Sequence, residues 1–172
     1  MLMGPKVRIG MMAPSSDMIS ALENIKLTKI TWFGGEPLMA VPQMEKLYRK
    51  LKRGLKGIPI LSSIITSGFH LNEPNIRALQ RMNVSRMQIT LDGMKESHNK
   101  IKSTVGCDDT FSKVMDNIGL ATTIAPEIDI VIRANLTKTN AHEYEALQNL
   151  VIERFNGKNV AIAPAFVMDR DE

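Results

Sequence analysis

The chain has 172 residues and a formal net charge of +4, and 44% of its residues are hydrophobic. This length and mixed charge predict one soluble globular domain and exclude a disordered chain. No hydrophobic run reaches the roughly 20 residues of a membrane-spanning helix, and the N-terminus lacks the hydrophobic core of a signal peptide, so we predict a cytoplasmic protein with no membrane partner.

Cysteine and histidine usage limits the metal chemistry of the chain. Cys107 is the only cysteine, which excludes an internal disulfide and a multi-cysteine metal site. His70, His98 and His142 lack the spacing of zinc ligands, and each is predicted to lie in a loop or on a helix surface. The sequence therefore gives no candidate metal ligands and no candidate catalytic residue.

Helical and strand patterns alternate along the chain with short links between them. The segment between the third strand and the next helix is predicted to be a loop. Such alternation predicts right-handed βαβ units on a parallel sheet, either open or curling into a barrel. In chain order, the predicted elements are a helix at 18–24, a strand at 29–33, a basic helix at 42–53, a strand at 58–65, a helix at 72–82, a strand at 86–91, a helix at 109–124, a strand at 128–133, a helix at 140–153 and a strand at 159–164.

The basic helix admits two interpretations. Its lysines and arginines, at residues 46–56, are typical of a surface for nucleic acid or another acidic partner. Leu47, Leu51 and Leu55 recur at every fourth residue, however, which indicates a core-facing stripe with a solvated basic face. No aromatic residues are interleaved with the charges, so we favour the second interpretation and predict no nucleic-acid partner.

Four polar or glycine-rich segments follow predicted strands, at residues 34–37, 66–68, 90–93 and 133–135. The carboxyl ends of parallel strands meet at one edge of a sheet, where ligands bind in α/β folds. In the first segment, Gly34 and Gly35 would let the backbone approach a ligand, and the Glu36 carboxylate would hold an amine. The alternative is a strand-to-loop turn with a solvated glutamate.

These segments, in this order, resemble the radical S-adenosylmethionine (SAM) superfamily, and most closely its peptide- and protein-modifying branch that includes the anaerobic sulfatase-maturating (SPASM-type) enzymes. The resemblance spans residues 16–168. Its most specific stretches are Gly-Gly-Glu-Pro-Leu at 34–38, Gln-Ile-Thr-Leu-Asp-Gly at 88–93, His98, and Gly106 through Thr110-Phe111. The family fold is a partial (β/α)6 barrel, so the resemblance implies an incomplete α/β barrel of parallel strands.

The resemblance also implies roles for individual residues. The SAM amino group would lie at residues 34–37, which are Gly34, Gly35, Glu36 and Pro37. Ser67 belongs to a segment usually written Thr-Asn-Gly, Thr90 replaces a serine that meets the SAM ribose, and Lys102 replaces an arginine that pairs with the SAM carboxylate. Residues around Val167 would border the adenine. Asp92 and Asn135 complete the candidate cofactor-binding set. Each has a structural alternative: Asp92 could belong to a turn that ends the strand, and Asn135 could bond to the backbone of its loop. Arg133 could likewise pair with an acidic neighbour inside the barrel.

The family's three cluster cysteines, spaced Cys-x3-Cys-x2-Cys, have no counterpart here. They hold a [4Fe–4S] cluster that binds SAM and reduces it. We therefore expect residues 1–172 to be a truncated radical SAM core that lacks the first strand, the cluster ligands and the C-terminal region, and to be inactive as it stands. SAM and the [4Fe–4S] cluster are the cofactors implied for the intact protein. The alternative is a cluster-less relative that binds SAM, a nucleotide or a peptide as a scaffold.

The implied partner of the intact enzyme is a protein or peptide substrate. Loss of a first strand would leave the strand at 29–33 with an unpaired edge unless residues 6–11 or another chain cover it. We therefore predict a homo-oligomer through that edge.

Overall fold

The computed structural model describes residues 27–103 and 106–167. Within them the chain alternates between strands and helices, with a 3-10 turn at Pro37–Ala40 and another at Ala141–Glu143. The strands are β1 (Thr28–Trp32), β2 (Ile60–Thr66), β3 (Val84–Leu91), β4 (Asp129–Leu136) and β5 (Val160–Phe166), and the helices are α1 (Val41–Gly54), α2 (Glu73–Arg81), α3 (Lys95–Ile101), α4 (Thr110–Ile124) and α5 (Tyr144–Arg154).

The five strands form one sheet in the order β1-β2-β3-β4-β5, and every neighbouring pair is parallel. Sequential order with a helix between each pair is the arrangement of a (β/α) barrel wall. The fold is therefore an α/β partial barrel, as predicted. Its order also places the four predicted ligand segments side by side along one edge of the sheet.

Burial alternates along the strands, since successive side chains point to opposite faces. In β2 the pattern is buried, exposed, buried, intermediate, buried, exposed, buried. The face packed against the helices is apolar and includes Met87, Ile89 and Ile132, each with no exposed surface. The other, concave face carries mainly polar residues, such as Thr31, Ser63, Gln88, Thr90, Arg133 and Asn135.

The basic helix α1 has a core-facing apolar stripe and a solvated basic face, as in the second interpretation of its sequence. Of the three leucines predicted to face the core, Leu51 and Leu55 are buried and Leu47 is half-buried. Val41, Met44 and Tyr48 complete the buried stripe at helical spacing. The lysines and arginines lie on the exposed face.

One predicted loop is a helix, and this corrects the sequence analysis. Helix α3 starts after Met94, whose side chain makes no capping hydrogen bond. Glu143 supplies the cap from a distant part of the chain: its Oε2 accepts the Met94 N–H at 2.6 Å and its Oε1 accepts the Ser97 hydroxyl at 2.6 Å. The helix start is thus stabilised by a tertiary contact that local sequence patterns cannot reveal.

The helix predicted at 140–153, with Asn140 expected as its N-cap, begins later than predicted, at Tyr144. Asn140 precedes the 3-10 turn, and it makes no side-chain capping bond there. Its Oδ1 instead accepts the Thr137 N–H at 2.7 Å, which closes the turn after β4. The predicted helix at 18–24 and residues 6–11, which were considered as a cover for the edge of the strand at 29–33, lie outside the described residues. Among the described helices, none has the length and apolar character needed to cross a membrane.

Candidate functional site

A cavity of about 480 Å³ lies at the carboxyl edge of the sheet. This volume is within the ~300–1,000 Å³ range of small-molecule sites. Its apolar walls come from Phe33, Ile65, Phe69, Ile101 and Val114. Six of the ten predicted cofactor-binding residues line it, namely Gly34, Gly35, Ser67, Thr90, Lys102 and Asn135. The structure therefore brings together residues that are up to 101 positions apart in the sequence.

The two glycines after β1 give the cavity an open backbone wall. Gly34 has φ +103° and Gly35 has φ +53°, and a Cβ placed on either would meet no atom within 4 Å. Positive φ at two successive residues is accessible to glycine and disfavoured for most other residues. Both glycines line the cavity and are exposed, so their peptide groups are open to a ligand.

Glu36 lies outside the cavity lining and binds the end of β2 instead. Its Oε1 accepts the Leu38 N–H at 3.1 Å and the Thr66 hydroxyl at 2.5 Å. Its Oε2 accepts the Ser67 N–H at 2.9 Å and a short bond from the Ser67 hydroxyl. The carboxylate is thus used to join the ends of β1 and β2, and Pro37 is buried at the start of the following 3-10 turn. Neither residue contacts the cavity.

Asp92 is buried just beyond β3 and also lies outside the cavity lining. Its Oδ1 accepts a hydrogen bond from the Asn135 amide at 2.9 Å. Its Oδ2 is sealed from solvent and has no hydrogen-bond partner among the described residues, although Lys102 Nζ lies 3.8 Å away. Asp92 therefore positions two cavity residues, Asn135 and Lys102, from behind the wall.

Two further predicted residues can be placed. The Arg133 Nε–H donates to Asn135 Oδ1 at 3.0 Å. Within residues 27–103 and 106–167, Arg133 therefore contacts an amide and forms no ion pair with the acidic neighbour considered from the sequence. The Val167 N–H donates to the Leu136 carbonyl at 2.9 Å just beyond β5, away from the cavity lining.

His98 is a cavity residue whose position the sequence analysis missed. It was predicted to lie in a loop or on a helix surface, but only 2% of it is exposed. Its Nδ1 accepts the Asp92 N–H at 3.1 Å, and its ring packs edge-on against Phe111 with centroids 5.8 Å apart. The only available signal was the family resemblance, which included His98 without giving it a role.

Burial lowers the pKa of His98 below its ordinary value of 6.5; the charge of Asp92 opposes this lowering and the charge of Lys102 adds to it. The unfolded chain takes up a proton on this ring below about pH 6.5, whereas the folded chain does not. Stability should therefore be highest above that pH and fall as the pH drops towards the lower folded pKa. Urea unfolding of the wild type and His98→Asn between about pH 7.5 and 5 checks this. Equal pH dependence in the two proteins would contradict it.

Helix α4 begins beside the cavity, where its first residue Thr110 lines the wall. Asp109 caps the helix by accepting the Ser112 N–H at 3.1 Å, and its other oxygen lies 2.5 Å from Lys95 Nζ. The Lys95 contact, followed by the bonds from Ser112 and Asn99, holds the pKa of Asp109 well below its usual range. These contacts join α3 to α4, and so fix the wall that carries His98 and Lys102.

Comparison with known families decides the classification. Residues 16–124, well over half of the chain, match the model of the radical SAM superfamily. The chain belongs to the radical SAM superfamily. A search among curated proteins finds no match.

Solved structures of anSMEcpe, an anaerobic sulfatase-maturating enzyme, share this radical SAM fold. The native enzyme with bound AdoMet has a TM-score of 0.68 and 23% identity over 86% of this chain and 40% of that chain. The complex with AdoMet and the Kp18Cys peptide has a TM-score of 0.67 and 21% identity, over 87% of this chain and 42% of that one. The chain thus spans about two fifths of the length of these structures, and at such identity the likeness concerns the fold.

The cysteines and other metal-binding side chains of this radical SAM chain determine whether it could hold the family's iron–sulfur cluster. Cubane clusters are held by several cysteine thiolates, and Cys107 is the sole cysteine in the sequence. In residues 27–103 and 106–167, no group of three or more His, Cys, Asp or Glu side chains is arranged to bind a metal ion. The residues present do not fit the cluster, whereas the cavity and its donors do fit a polar small molecule such as SAM.

A second concave surface lies on α1, away from the radical SAM ligand edge. It has a volume of about 620 Å³ and is lined by Lys46, Arg49, Lys52 and Arg53. The helix crosses back between two parallel strands, so its C-terminal half lies towards the opposite end of the sheet. All four lining residues come from one helix face, which is typical of a solvated basic surface and not of an enclosed site.

Proposed function

We propose that this chain is the SAM-binding core of a radical SAM oxidoreductase of the peptide- or protein-modifying branch. The observation that carries the proposal is the cavity itself. Four strand ends and α3 contribute polar or glycine residues to one space, and six of these belong to the cofactor-binding set predicted from the sequence. Family membership and the partial-barrel fold support the same conclusion.

Different residues of the cavity would bind the carboxylate, the amino group and the ribose of SAM. Lys102 is the cation of the lining and would hold the carboxylate, although an ammonium lacks the two-pronged geometry of arginine. The exposed peptide groups of Gly34 and Gly35 would hold the amino group, because Glu36 is already occupied by four hydrogen bonds. The Thr90 hydroxyl would meet the ribose, with Ser67 and Asn135 as further polar neighbours.

In an intact radical SAM enzyme, reduced SAM supplies the 5′-deoxyadenosyl radical that takes hydrogen from a protein or peptide substrate. The residues of this chain would bind and orient the cofactor for that reaction. A single cysteine cannot hold the cluster that delivers the electron. We therefore propose that residues 1–172 act as one core domain, located in the cytoplasm, that binds SAM without cleaving it.

Cofactor affinity tests the proposal. Equilibrium dialysis at millimolar SAM is expected to show weak, saturable binding, since the cluster that would contribute to affinity is missing. Lys102→Met should weaken binding about 5- to 10-fold through loss of one charge contact. Lys100→Met removes an exposed lysine in the last turn of α3, two residues before Lys102, and should leave SAM binding unchanged. Equal affinity of all three proteins, or no binding by the wild type, would contradict the proposal.

A non-catalytic SAM-binding scaffold is the second candidate, and the single cysteine favours it. Iron–sulfur reconstitution followed by an absorption spectrum, and a search for 5′-deoxyadenosine after reduction in the presence of SAM, distinguish the two. A cluster or the nucleoside product would favour the enzyme. Tight SAM binding without either would favour the scaffold.

Two proposals concern partners. The intact enzyme would act on a protein or peptide side chain, in keeping with its branch of the family. The chain would also associate with itself through the edge of β1 that pairs with no other described strand; the opposite edge pairs with β2.

A further inference from the structure

The two ring nitrogens of His98 have different surroundings. Nδ1 accepts the Asp92 N–H at 3.1 Å, at the point where the chain leaves β3. A ring nitrogen that accepts a hydrogen bond carries no proton, so a neutral ring must carry its proton on Nε2. The fold therefore selects one tautomer, in which Nε2–H is the remaining donor.

Nε2–H is the ring group of His98 that remains for a cavity ligand. His98 belongs to the cavity lining, and its Nδ1 is already used by the protein. Among the described residues, no hydrogen bond is made by Nε2, and Nε2 is not one of the side-chain atoms that are sealed from solvent without a partner. An unpaired donor in a cavity wall can donate a hydrogen bond to an acceptor atom of a ligand.

The neighbouring charges indicate what kind of acceptor fits. Lys102 Nζ and His98 Nδ1 lie 3.8 Å and 4.0 Å from the same oxygen, Asp92 Oδ2. This oxygen is sealed, so it balances the lysine charge but is closed to ligands. The side chain of Lys102 is 48% exposed and can turn to the cavity. Lys102 and His98 thus share one carboxylate neighbour, and together they offer a cation and a neutral donor, which suits a carboxylate with two acceptor oxygens.

We infer that His98 is a ligand-binding residue whose Nε2–H donates to the carboxylate of the cavity ligand, beside Lys102. This inference rests on the proposed function and adds a residue to it. The lowered pKa of His98 agrees with a ring that remains neutral, so that Nδ1 and Nε2 keep their separate roles. Asp92 and Lys102 are the charged groups that act on the ring.

A matched pair of substitutions separates the two nitrogens. His98→Asn places an amide oxygen near Nδ1 and removes the donor at Nε2, so it should preserve the fold and weaken SAM binding about 5- to 10-fold. His98→Gln places an amide near Nε2 and loses the acceptor for Asp92, so it should restore much of the binding at lower stability. Decarboxylated SAM is the ligand control. The wild type should bind it weakly, and His98→Asn should bind it no more weakly than the wild type does.

Imidazole nitrogen shifts in long-range ¹H–¹⁵N NMR spectra of the wild type give a readout that needs no variant. The Nε2–H tautomer is expected without ligand, and SAM should shift Nε2 more than Nδ1. The inference is overturned if SAM binds but leaves Nε2 unchanged, if His98→Asn binds SAM as tightly as the wild type, or if that variant loses both ligands equally. Absence of SAM binding by the wild type would instead overturn the proposed function, and this inference with it.

Discussion

Gly93→Ala is expected to destabilise the fold by about 3–5 kcal/mol. Gly93 has φ +93°, and a Cβ there would lie 2.5 Å from Glu143 Oε2 and 3.2 Å from Asn140 Nδ2. Glu143 would have to move, and it would then lose its bonds to the Met94 N–H and the Ser97 hydroxyl. The substitution therefore combines backbone strain with loss of the cap of α3.

Gly57→Ala is the matched control for this prediction. Gly57 has almost the same φ, +92°, but a Cβ there would meet no atom within 4 Å. It should cost only about 1–2 kcal/mol, the strain of the left-handed conformation. Urea unfolding of both variants measures the difference. If the two lose the same stability, the contact between Gly93 and Glu143 has no energetic importance and our account of the α3 cap is wrong.

Glu36→Gln is expected to destabilise the fold by about 2–3 kcal/mol. The carboxylate accepts four hydrogen bonds from Leu38, Thr66 and Ser67, two of them from backbone N–H groups that can only donate. A glutamine has one accepting oxygen, and its NH2 group would face one of those N–H donors in either orientation. The ends of β1 and β2 would then lose part of their connection.

Glu73→Gln provides the control, because Glu73 is exposed and pairs with Arg77 one helical turn away. Its loss should cost no more than about 0.5 kcal/mol. Chemical denaturation at constant pH and SAM affinity should both be measured. A Glu36→Gln protein of wild-type stability with much weaker SAM binding would return Glu36 to the ligand-binding role considered from the sequence.

The alternation of helices and strands could be predicted because it depends on local periodicity. The buried residues Val41, Met44, Tyr48 and Leu51 recur at helical spacing, which is visible in the sequence. Boundaries differ by only a few residues for the same reason. The burial of β2 is not visible in this way, because Ser62 is buried and Leu61 is exposed. Helix α3 could not be predicted, since its first turn depends on Glu143, a residue 49 positions beyond Met94.

The location of the site residues could be predicted from the sequence, but the contacts of their side chains could be predicted less well. The strand ends had to meet at one edge, and Gly34, Ser67, Thr90 and Asn135 do so. Whether a polar side chain faces a ligand or the protein depends on neighbours that are distant in sequence. The partners of Glu36 on β2 and the contact of His98 with Asp92 are such cases.

The central claim is that the carboxyl edge of this sheet is a SAM site. A ¹H–¹⁵N correlation spectrum recorded during SAM titration into the millimolar range tests it most directly. We predict saturable shifts of the backbone amides of Gly34, Gly35, Ser67 and Lys102, with those of Lys46 and Arg49 on α1 unchanged. Shifts confined to α1, or no saturable shift at the cavity, would contradict the claim.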